Sequence, residues 1–446
     1  MWGEAPIPGY ASWPVVSLAE ITTKIGSGAT PRGGSESYLP VRERFALVRS
    51  QNVFDRRFDS TGLAFISDEQ ADGLRGVALQ RGDILLNITG DGVTFGRACI
   101  VPSNVLPACV NQHVSIIRVN PQRADPGYVL SFLTHPDVKP YIESFNAGGS
   151  RRAITKGHIE SFQLPLPPLA QQRAIAHILG TLDDKIELNR RMNETLEATA
   201  RALFKSCFVD FEPVRAKTEG RAPKGMDAET AKLFPSEFED SEKGEIPKGW
   251  SIASLDDIAD FKNGLALQRF RPTASEARLP VVKIAQLRTG EPDSGEWARA
   301  DIDPTCILED GDVVFSWSGS LTVVVWCGGQ AALNQHLFRV TSDRYPKWLY
   351  LHWLLVHLPE FQRIAGDKAT TMGHIQRHHL SAAKCVIPSK RLLDRLSLRF
   401  TSLLEQRVLL DLQSRSLAAV RDALLPRLLS GELSVSHAER FIESTV

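Results

Sequence analysis

The sequence of 446 residues lacks the features that define several large classes of protein. Its six cysteines are scattered with no CxxC pair, which counts against a zinc site or a disulfide framework and favours a reducing cytoplasm. Apolar runs such as Leu321–Cys327 are too short to span a bilayer, and no basic segment followed by an apolar run opens the chain. We therefore expect a cytoplasmic protein with no membrane span and no secretion signal.

Neither charge nor a catalytic motif singles the chain out. Lys and Arg total 52, as do Asp and Glu, so any basic surface for nucleic acid must be gathered locally or supplied by partners. No GxxxxGK[ST] phosphate loop, HExxH motif or Cys/His metal cluster occurs, and Leu164–Pro168 lacks the Asn and the aromatic residue of an adenine methyltransferase motif. We expect no catalytic residue and no metal site in this chain.

What the sequence does contain is an internal duplication. Four segments recur in the same order, and their offset falls from 237 residues (Trp13 to Trp250) to 221 residues (Ile159 to Leu380). This shrinkage is expected when a second copy has lost short surface loops. The matched pairs are Trp13–Ile21 with Trp250–Ile258, Gly82-Asp83 with Gly311-Asp312, Asn111–His113 with Asn334–His336, and Ile154–Ile159 with Ile375–Leu380.

Each copy begins with short apolar and β-branched runs broken by Gly and Pro, which predict the strands of an α/β (α+β) or mostly β domain, of which we expect the α/β class. Two histidines, His113 and His336, recur without a nucleophile or acidic partner at a recognisable spacing, so a structural role is favoured over a base or a ligand. The predicted strands are Phe45–Val48, Ile84–Ile88 and Val114–Val119 in the first copy, and Val281–Ile284, Val313–Trp317 and Val323–Trp326 in the second.

Each copy ends in a long stretch with helical periodicity, from Ile175 to Leu203 and from Leu396 to Leu424. In each stretch, the residues on one face of the predicted helix recur at alternating spacings of four and three, which is the pattern of a coiled coil. We call this line of residues the seam. The alternative is that the seam of each helix packs only on its own globular domain. A helix of about 38 residues would be ~57 Å long, however, which exceeds the width of such a domain. Polar residues in the seam, suited to fixing its register, are Asn189, Asn193, Arg407 and Ser414.

These patterns predict two globular domains alternating with two long helices. The segment between the halves is rich in Glu, Asp, Lys, Pro and Gly, and is predicted to be a linker or a surface-wrapped segment. The predicted boundaries are 1–169 for the first domain, 170–208 for the central helix, 209–249 for the linker, 250–388 for the second domain, 389–434 for the C-terminal helix and 435–446 for a tail.

Six stretches of the helices and the linker carry a family resemblance: Gln163–Ile175, Leu182–Asn193, Phe204–Pro213, Leu233–Asp240, Gly244–Trp250 and Leu424–Glu432. Through them the chain resembles the DNA-specificity subunits of type I restriction-modification enzymes over nearly its whole length. The globular domains match only in framework. Val386–Leu393 departs from the Pro-Leu-Pro-Pro-Leu-x-Gln-Gln pattern of the first copy, so the second partner-docking surface is less well defined.

The resemblance implies that each domain is a target-recognition domain for one half of a split DNA site. It implies that the long helices form an antiparallel pair with a pseudo-twofold repeat. The chain would be a non-catalytic subunit that binds double-stranded DNA and docks two methyltransferase subunits and, through them, nuclease-translocase subunits. The assembled complex would methylate adenine N6 and cleave DNA using ATP, and S-adenosylmethionine, ATP and Mg would belong to the partners. Because the two domains differ in sequence, the site would be asymmetric.

Candidate DNA contacts lie after one strand and before the helical stretch in each domain, where polar and basic side chains cluster. Glycines flanking the double arginine suit a close approach of the backbone, so phosphate contact is favoured there. The alternative for each is an ordinary solvated loop residue. The candidates are Arg49, Gln51, Asn52, Ser150, Arg151, Arg152 and Lys156 in the first domain, and Lys283, Gln286, Arg288, Lys368, Thr370, Thr371, His374 and Arg377 in the second.

Two other functions are open from the sequence. The chain could be a methyltransferase or nuclease with its own catalytic site, against which the missing motifs argue. It could instead be a coiled-coil adaptor that binds only protein, against which the duplicated basic loops argue.

Overall fold

The computed structural model describes residues 13–146, 152–367 and 373–445. The chain forms two compact units: unit 1 comprises Met1–Glu187 and Ser416–Val446, and unit 2 comprises Leu188–Arg415. Ser150, Arg151, Lys368, Thr370 and Thr371 lie outside the described residues. Within the described ranges, every helix is too short or too polar to cross a membrane.

The first domain is a mixed α/β domain. Its elements are β1 (Val15–Ser17), α1 (Leu18–Ile21), β2 (Thr22–Ser27), β3 (Phe45–Val48), β4 (Val53–Phe54), β5 (Arg57–Phe58), β6 (Ala64–Ile66), α2 (Asp68–Gly73), β7 (Ile84–Asn87), β8 (Thr89–Gly90), β9 (Ala98–Ile100), β10 (Ala108–Val110), β11 (Val114–Val119), α3 (Pro126–Leu133), α4 (Val138–Ser144), β12 (Arg152–Ala153), α5 (Lys156–Glu160) and β13 (Gln163–Pro165).

The rest of the chain repeats this plan after a long helix. Its elements are α6 (Leu169–Phe208), α7 (Glu212–Thr218), α8 (Ala228–Lys232), β14 (Phe238–Ser241), β15 (Gly244–Pro247), β16 (Ser251–Ser254), α9 (Leu255–Ile258), β17 (Asp260–Asn263), β18 (Arg278–Val282), α10 (Ile284–Thr289), β19 (Asp293–Arg299), β20 (Ile307–Leu308), β21 (Val313–Ser316), β22 (Val323–Val325), β23 (Ala331–Leu333), β24 (Leu337–Thr341), α11 (Lys347–Asp367), α12 (Arg377–Ala382), β25 (Lys384–Ile387), α13 (Lys390–Leu429) and α14 (Val435–Thr445).

Three strand arrangements recur in the sheets of the two units, although the second sheet has three strands in unit 1 and four in unit 2. An antiparallel sheet runs β2-β11-β7-β9 in unit 1 and β17-β24-β21-β22 in unit 2. A second sheet contains a parallel pair, β10 with β3 and β23 with β18. The first strand of each domain pairs with the last, β1 with β13 and β16 with β25. The predicted α/β class and internal repeat are confirmed.

The central strands are apolar along their whole length because both of their faces are covered. In β7, Ile84 and Leu86 face the core that contacts the long helices, while Leu85 faces a second core on the other side. In β21, Phe315 and Val314 divide in the same way. Since successive strand residues point to opposite faces, a continuous apolar run is what such a strand requires.

The two 40-residue helices α6 and α13 pack antiparallel. In unit 2 the amide of Asn189 donates to Gln413 and Ser414 (2.9 and 3.3 Å), and Asn193 donates to Asp411 (2.6 Å). A residue later in α6 therefore contacts a residue earlier in α13, as an antiparallel pair requires. Both asparagines are buried, so their hydrogen bonds tie one register of the pair.

The segment 209–249, for which composition predicts a linker or a surface-wrapped segment, folds onto unit 2. It forms α7, α8 and the β14–β15 hairpin. Phe211, Val214, Phe234 and Ile246 are buried in the same core as Trp250. Isolated apolar residues without periodicity can each fill a pocket made by other elements, and a composition argument cannot detect this.

Candidate nucleic-acid interface

The recurrent Gly-Asp dipeptide stabilises the sheet strands of each domain and the hydrogen bonds that hold them, which together we call the frame. Its glycine has φ of 86° in unit 1 and 90° in unit 2, a conformation that favours glycine. Asp83 accepts two hydrogen bonds from Arg118 (2.7 and 2.8 Å), and Asp312 pairs with Arg339 through Nη2 and Nε (3.1 and 2.9 Å). Each pair holds one central strand to its neighbour in the antiparallel sheet, so the dipeptide has a structural role.

The recurrent histidines are held in matching hydrogen bonds. His113 Nδ1 lies 2.6 Å from Thr89 Oγ1, and His336 Nδ1 lies 3.0 Å from Ser318 Oγ. In each unit the backbone N–H of the histidine also donates to the asparagine two residues earlier (3.0 and 3.2 Å). These contacts place the histidines in the frame beside the candidate loops, in agreement with a structural role.

In the first domain the candidate residues after β3 form a tight turn, Arg49–Asn52, which we call the first recognition turn. Asn52 is fully buried: its side chain accepts from Arg49 N (3.1 Å) and donates to Asp59 O and Thr61 O (2.9 and 3.3 Å). Arg49 donates to Gly62 O (2.5 Å). Gln51 is exposed, so of the three side chains it is the one presented to solvent.

Among the residues predicted before the helical stretch, Arg152 and Lys156 are described. Arg152 lies on β12, which pairs with β8, and its guanidinium forms an ion pair with Glu143 and packs over the backbone of Gly92. Lys156 opens α5 and is 62% exposed, with its amine 3.4 Å from Glu160. The glycine-rich turn after β8 thus permits the close approach of an arginine.

Asn87, which is not among the candidates predicted from the sequence, joins these two regions. It is fully buried at the end of β7, and its amide donates to Ser50 O in the first recognition turn (3.0 Å) and to Thr94 O in the turn after β8 (3.1 Å). In unit 2 the matching Ser316 bonds Ser320 O and the Thr322 N–H (both 2.8 Å). A lone polar residue ending an apolar strand was the available signal.

In the second domain the equivalent turn starts α10, and we call Lys283–Gln286 the second recognition turn. Lys283 N donates to the Gln286 side chain (3.2 Å), which repeats the contact between Arg49 and Asn52. The Lys283 amine pairs with Glu296. Gln286 is half-buried, whereas Arg288 on α10 is exposed.

The other described candidates of this domain border a cleft of about 270 Å³. His374 makes a β-bridge with Ser318, matching the pairing of β12 with β8. Arg377 opens α12, donates to Phe261 O (3.1 Å) and lies 5.6 Å from the Phe338 ring centroid. Trp317 forms another wall of the cleft, where unit 1 has the smaller, buried Ile88.

The described residues offer little for covalent or metal chemistry. Burial raises the pKa of the Cys207 and Cys327 thiols to about 12, so neither is a thiolate near neutral pH. Within the described part of the chain, no group of three or more His, Cys, Asp or Glu could hold a metal ion.

Comparison with known proteins points to one family. A family model described as the type I restriction modification DNA specificity domain matches residues 66–198. The type I restriction enzyme HindI specificity subunit of Haemophilus influenzae is 24% identical over 95% of this chain and 100% of its own length. The EcoKI specificity subunit of Escherichia coli is 22% identical over 76% of this chain and 70% of its own.

A solved structure has the same fold. The type I restriction-modification system S subunit from M. genitalium gives a TM-score of 0.52 with 13% identity, covering 94% of this chain and 96% of that one. At this identity the similarity concerns the fold.

Proposed function

We propose that this chain, which belongs to the family of type I restriction-modification specificity subunits, recognises an asymmetric DNA site in two halves, one read by each domain. The observation that carries the proposal is a common frame with different side chains on it. At matching positions of this turn, unit 1 carries Arg49 and Gln51, whereas unit 2 carries Lys283 and Ala285. Similar surfaces with different base-contacting groups would select different half-sites.

The exposed candidates divide by the contact that suits them. Gln51 and Arg288 are not tied to a carboxylate, and amide and guanidinium groups can pair with base edges in the major groove. Arg152 lies beside a glycine-rich turn, Lys156 follows at the start of α5, and both cations suit phosphates. Ser150, Arg151, Lys368, Thr370 and Thr371 are proposed to extend these surfaces, with His374 and Arg377 bordering the second.

The chain is proposed to act as the non-catalytic DNA-recognition subunit of a larger cytoplasmic complex. Two methyltransferase subunits would dock on it, and nuclease-translocase subunits through them. S-adenosylmethionine, ATP and Mg would be bound by those subunits, a division of labour that the missing phosphate-loop and methyltransferase motifs support.

Mapping methylated adenines tests the proposal. The full chain is co-expressed with its methyltransferase in cells whose DNA lacks other adenine methylation. We expect one motif of two unlike half-sites separated by a fixed number of unspecified base pairs. A continuous or palindromic motif would contradict the two-domain assignment. Methylation by the isolated chain would favour the enzyme, and absence of DNA binding by the complex would favour the adaptor.

Salt dependence tests the basic loop. If Arg151 and Arg152 both contact phosphates, replacing them by Ala should weaken DNA binding by the complex and reduce the slope of log K against log salt by about 1.8. Arg363→Ala, which removes an exposed arginine paired on α11, is the control and should leave the slope unchanged. Glu143→Gln frees Arg152 from its ion pair and should strengthen binding. An unchanged slope in the double variant would place both arginines away from DNA.

A further inference from the structure

An arginine in an unfavourable backbone conformation joins the first domain to the long helices. Arg56 lies in the turn between β4 and β5 with φ of 59°, a left-handed conformation that residues with a side chain rarely adopt. Its side chain is only 7% exposed. Such a conformation persists where the surroundings over-determine it, and it is often found where a function depends on position.

The contacts of Arg56 account for this conformation. Nε and Nη2 donate to one oxygen of Asp183 on α6 (2.7 and 2.6 Å), while Nη1 donates to Ser131 and Thr134 on α3 (3.2 and 3.1 Å). Its backbone N–H donates to Ala98 O on β9 (2.8 Å). One side chain therefore connects the β4–β5 hairpin to two helices.

Asp183 binds a second guanidinium from the other long helix. Its remaining oxygen accepts from Arg421 Nη1 on α13 (2.9 Å), and Arg421 also pairs with Asp422 (2.7 Å). Asp183 and Arg421 are 16% and 18% exposed, so water competes weakly for these charges. Both carboxylate oxygens are thus occupied, each by a group from a different element.

This three-residue ion network lies close to the first recognition turn. The β4–β5 hairpin follows that turn directly, and its ends are closed by the Asp59 N–H donating to Asn52 O (2.8 Å) and by the Asn52 amide donating to Asp59 O. A displacement at Arg56 would be passed through a two-strand hairpin to Gln51. Hydrogen bonds to charged groups are directional as well as strong. The network therefore fixes the angle between the β4–β5 hairpin and the long helices, in addition to attaching one to the other.

We propose that Asp183 is a positioning residue for DNA recognition: with Arg56 and Arg421 it fixes the orientation of the first domain on the helix pair, and thereby sets how many base pairs between the half-sites the complex accepts. This rests on the proposed function. In unit 2 the second domain is joined to α13 by Arg415 and Asp310 (2.9 and 3.0 Å), a pair that is 46% and 27% exposed and held by one side chain from each element.

The test measures tolerance of spacing separately from sequence preference. The complex of the full chain with its methyltransferase is titrated with duplexes that carry the mapped half-sites and a gap of native length, or one base pair shorter or longer. For Asp183→Asn we expect the preference for the native gap to fall about tenfold, the factor that one charge-assisted hydrogen bond supplies. The penalties for base changes within each half-site should stay as in the wild type.

Asp184→Asn is the matched control, because Asp184 is the exposed neighbour on the same helix. It should behave as the wild type, and an equal loss in this variant would overturn the proposal, as would an unchanged gap preference in folded Asp183→Asn. If circular dichroism shows that Asp183→Asn does not fold, Arg56→Lys carries the test with the same two outcomes, since it keeps the charge but cannot reach all three partners. Failure of the wild-type complex to bind any duplex would instead remove the proposed function itself.

Discussion

The two units share their hydrogen-bonded frame but anchor it to the long helices by different chemistry. At one equivalent position, α3 of unit 1 has Gly127, where a Cβ atom would lie 3.0 Å from Ala176 Cβ on α6. Unit 2 has Trp348 at this position, and its indole donates to Ser397 on α13 (2.9 Å) and stacks on Phe400 with ring centroids 4.3 Å apart. Close approach of backbones in one unit is thus replaced by aromatic packing in the other.

The charges show the opposite distribution. Unit 1 buries the network of Arg56, Asp183 and Arg421, whereas the ion pair between the domain and α13 in unit 2, Arg415 with Asp310, lies at a different position and is more exposed. Directional contacts inside each frame are retained in both copies, because each holds two strands at a fixed register. Contacts between the frame and the helices differ, because many combinations of volume and charge can fill an interface of this kind.

The aromatic anchor should show the largest effect on stability. Trp348→Ala removes a side chain that is 1% exposed, and we expect a loss of about 4 kcal/mol in the free energy of unfolding of unit 2. Tryptophan fluorescence during urea unfolding measures it, since six of the eight tryptophans lie in unit 2. Leu398→Ala, on the same helix and 69% exposed, should change it by under about 0.5 kcal/mol. Equal losses in both variants would mean that the stack does not anchor the unit.

The shared frame can be compared with the same substitution in both units. Asp83→Asn leaves Arg118 without its carboxylate, and we expect a loss of about 3 kcal/mol because the Asp83 side chain is fully buried. Asp312→Asn should cost less, about 2 kcal/mol, since Asp312 is 12% exposed. Hydrogen exchange read separately for each unit gives both values, with exposed Asp343→Asn as the control. A larger loss for Asp312 would contradict burial as the cause.

Lowering the pH should reduce the free energy of unfolding of unit 2 more than that of unit 1, and this difference is the smallest of the effects expected. Burial lowers the pKa of His352 and of His357, both in unit 2, from 6.5 to about 4. The unfolded chain then binds more protons than the folded one below about pH 6.5. The stability contributed by the neutral histidines is therefore complete above pH 6.5 and falls as the pH drops towards 4. In unit 1, burial lowers the pKa of His135.

We accordingly expect urea unfolding followed by tryptophan fluorescence to shift to lower urea between pH 7 and pH 5. His352→Gln, which cannot titrate, should show a weaker shift than the wild type over this interval. A variant with the same pH dependence as the wild type would show that His352 does not carry the effect.

The sequence by itself determined the features that depend on local periodicity and on repetition. The strand runs, the 3.5-residue stripe and the four recurring segments are properties of neighbouring residues, and they were enough to predict the α/β class, the internal repeat and the pairing of the long helices. The polar seam residues Asn189 and Asn193 were also identified this way, because a polar residue in an apolar stripe requires a partner.

Only the tertiary structure decided which candidate side chains are exposed to solvent and which are buried in hydrogen bonds within the frame. Asn52 and Gln51 are adjacent in sequence, yet one is buried in the turn and the other is exposed. The network of Arg56, Asp183 and Arg421 joins residues separated by 127 and 238 positions. The periodicity of a sequence does not indicate which residue a charged side chain will pair with. Ion pairs over such separations are therefore determined by how the sheets and helices pack. The same holds for 209–249, whose apolar residues acquire a core only when unit 2 supplies one.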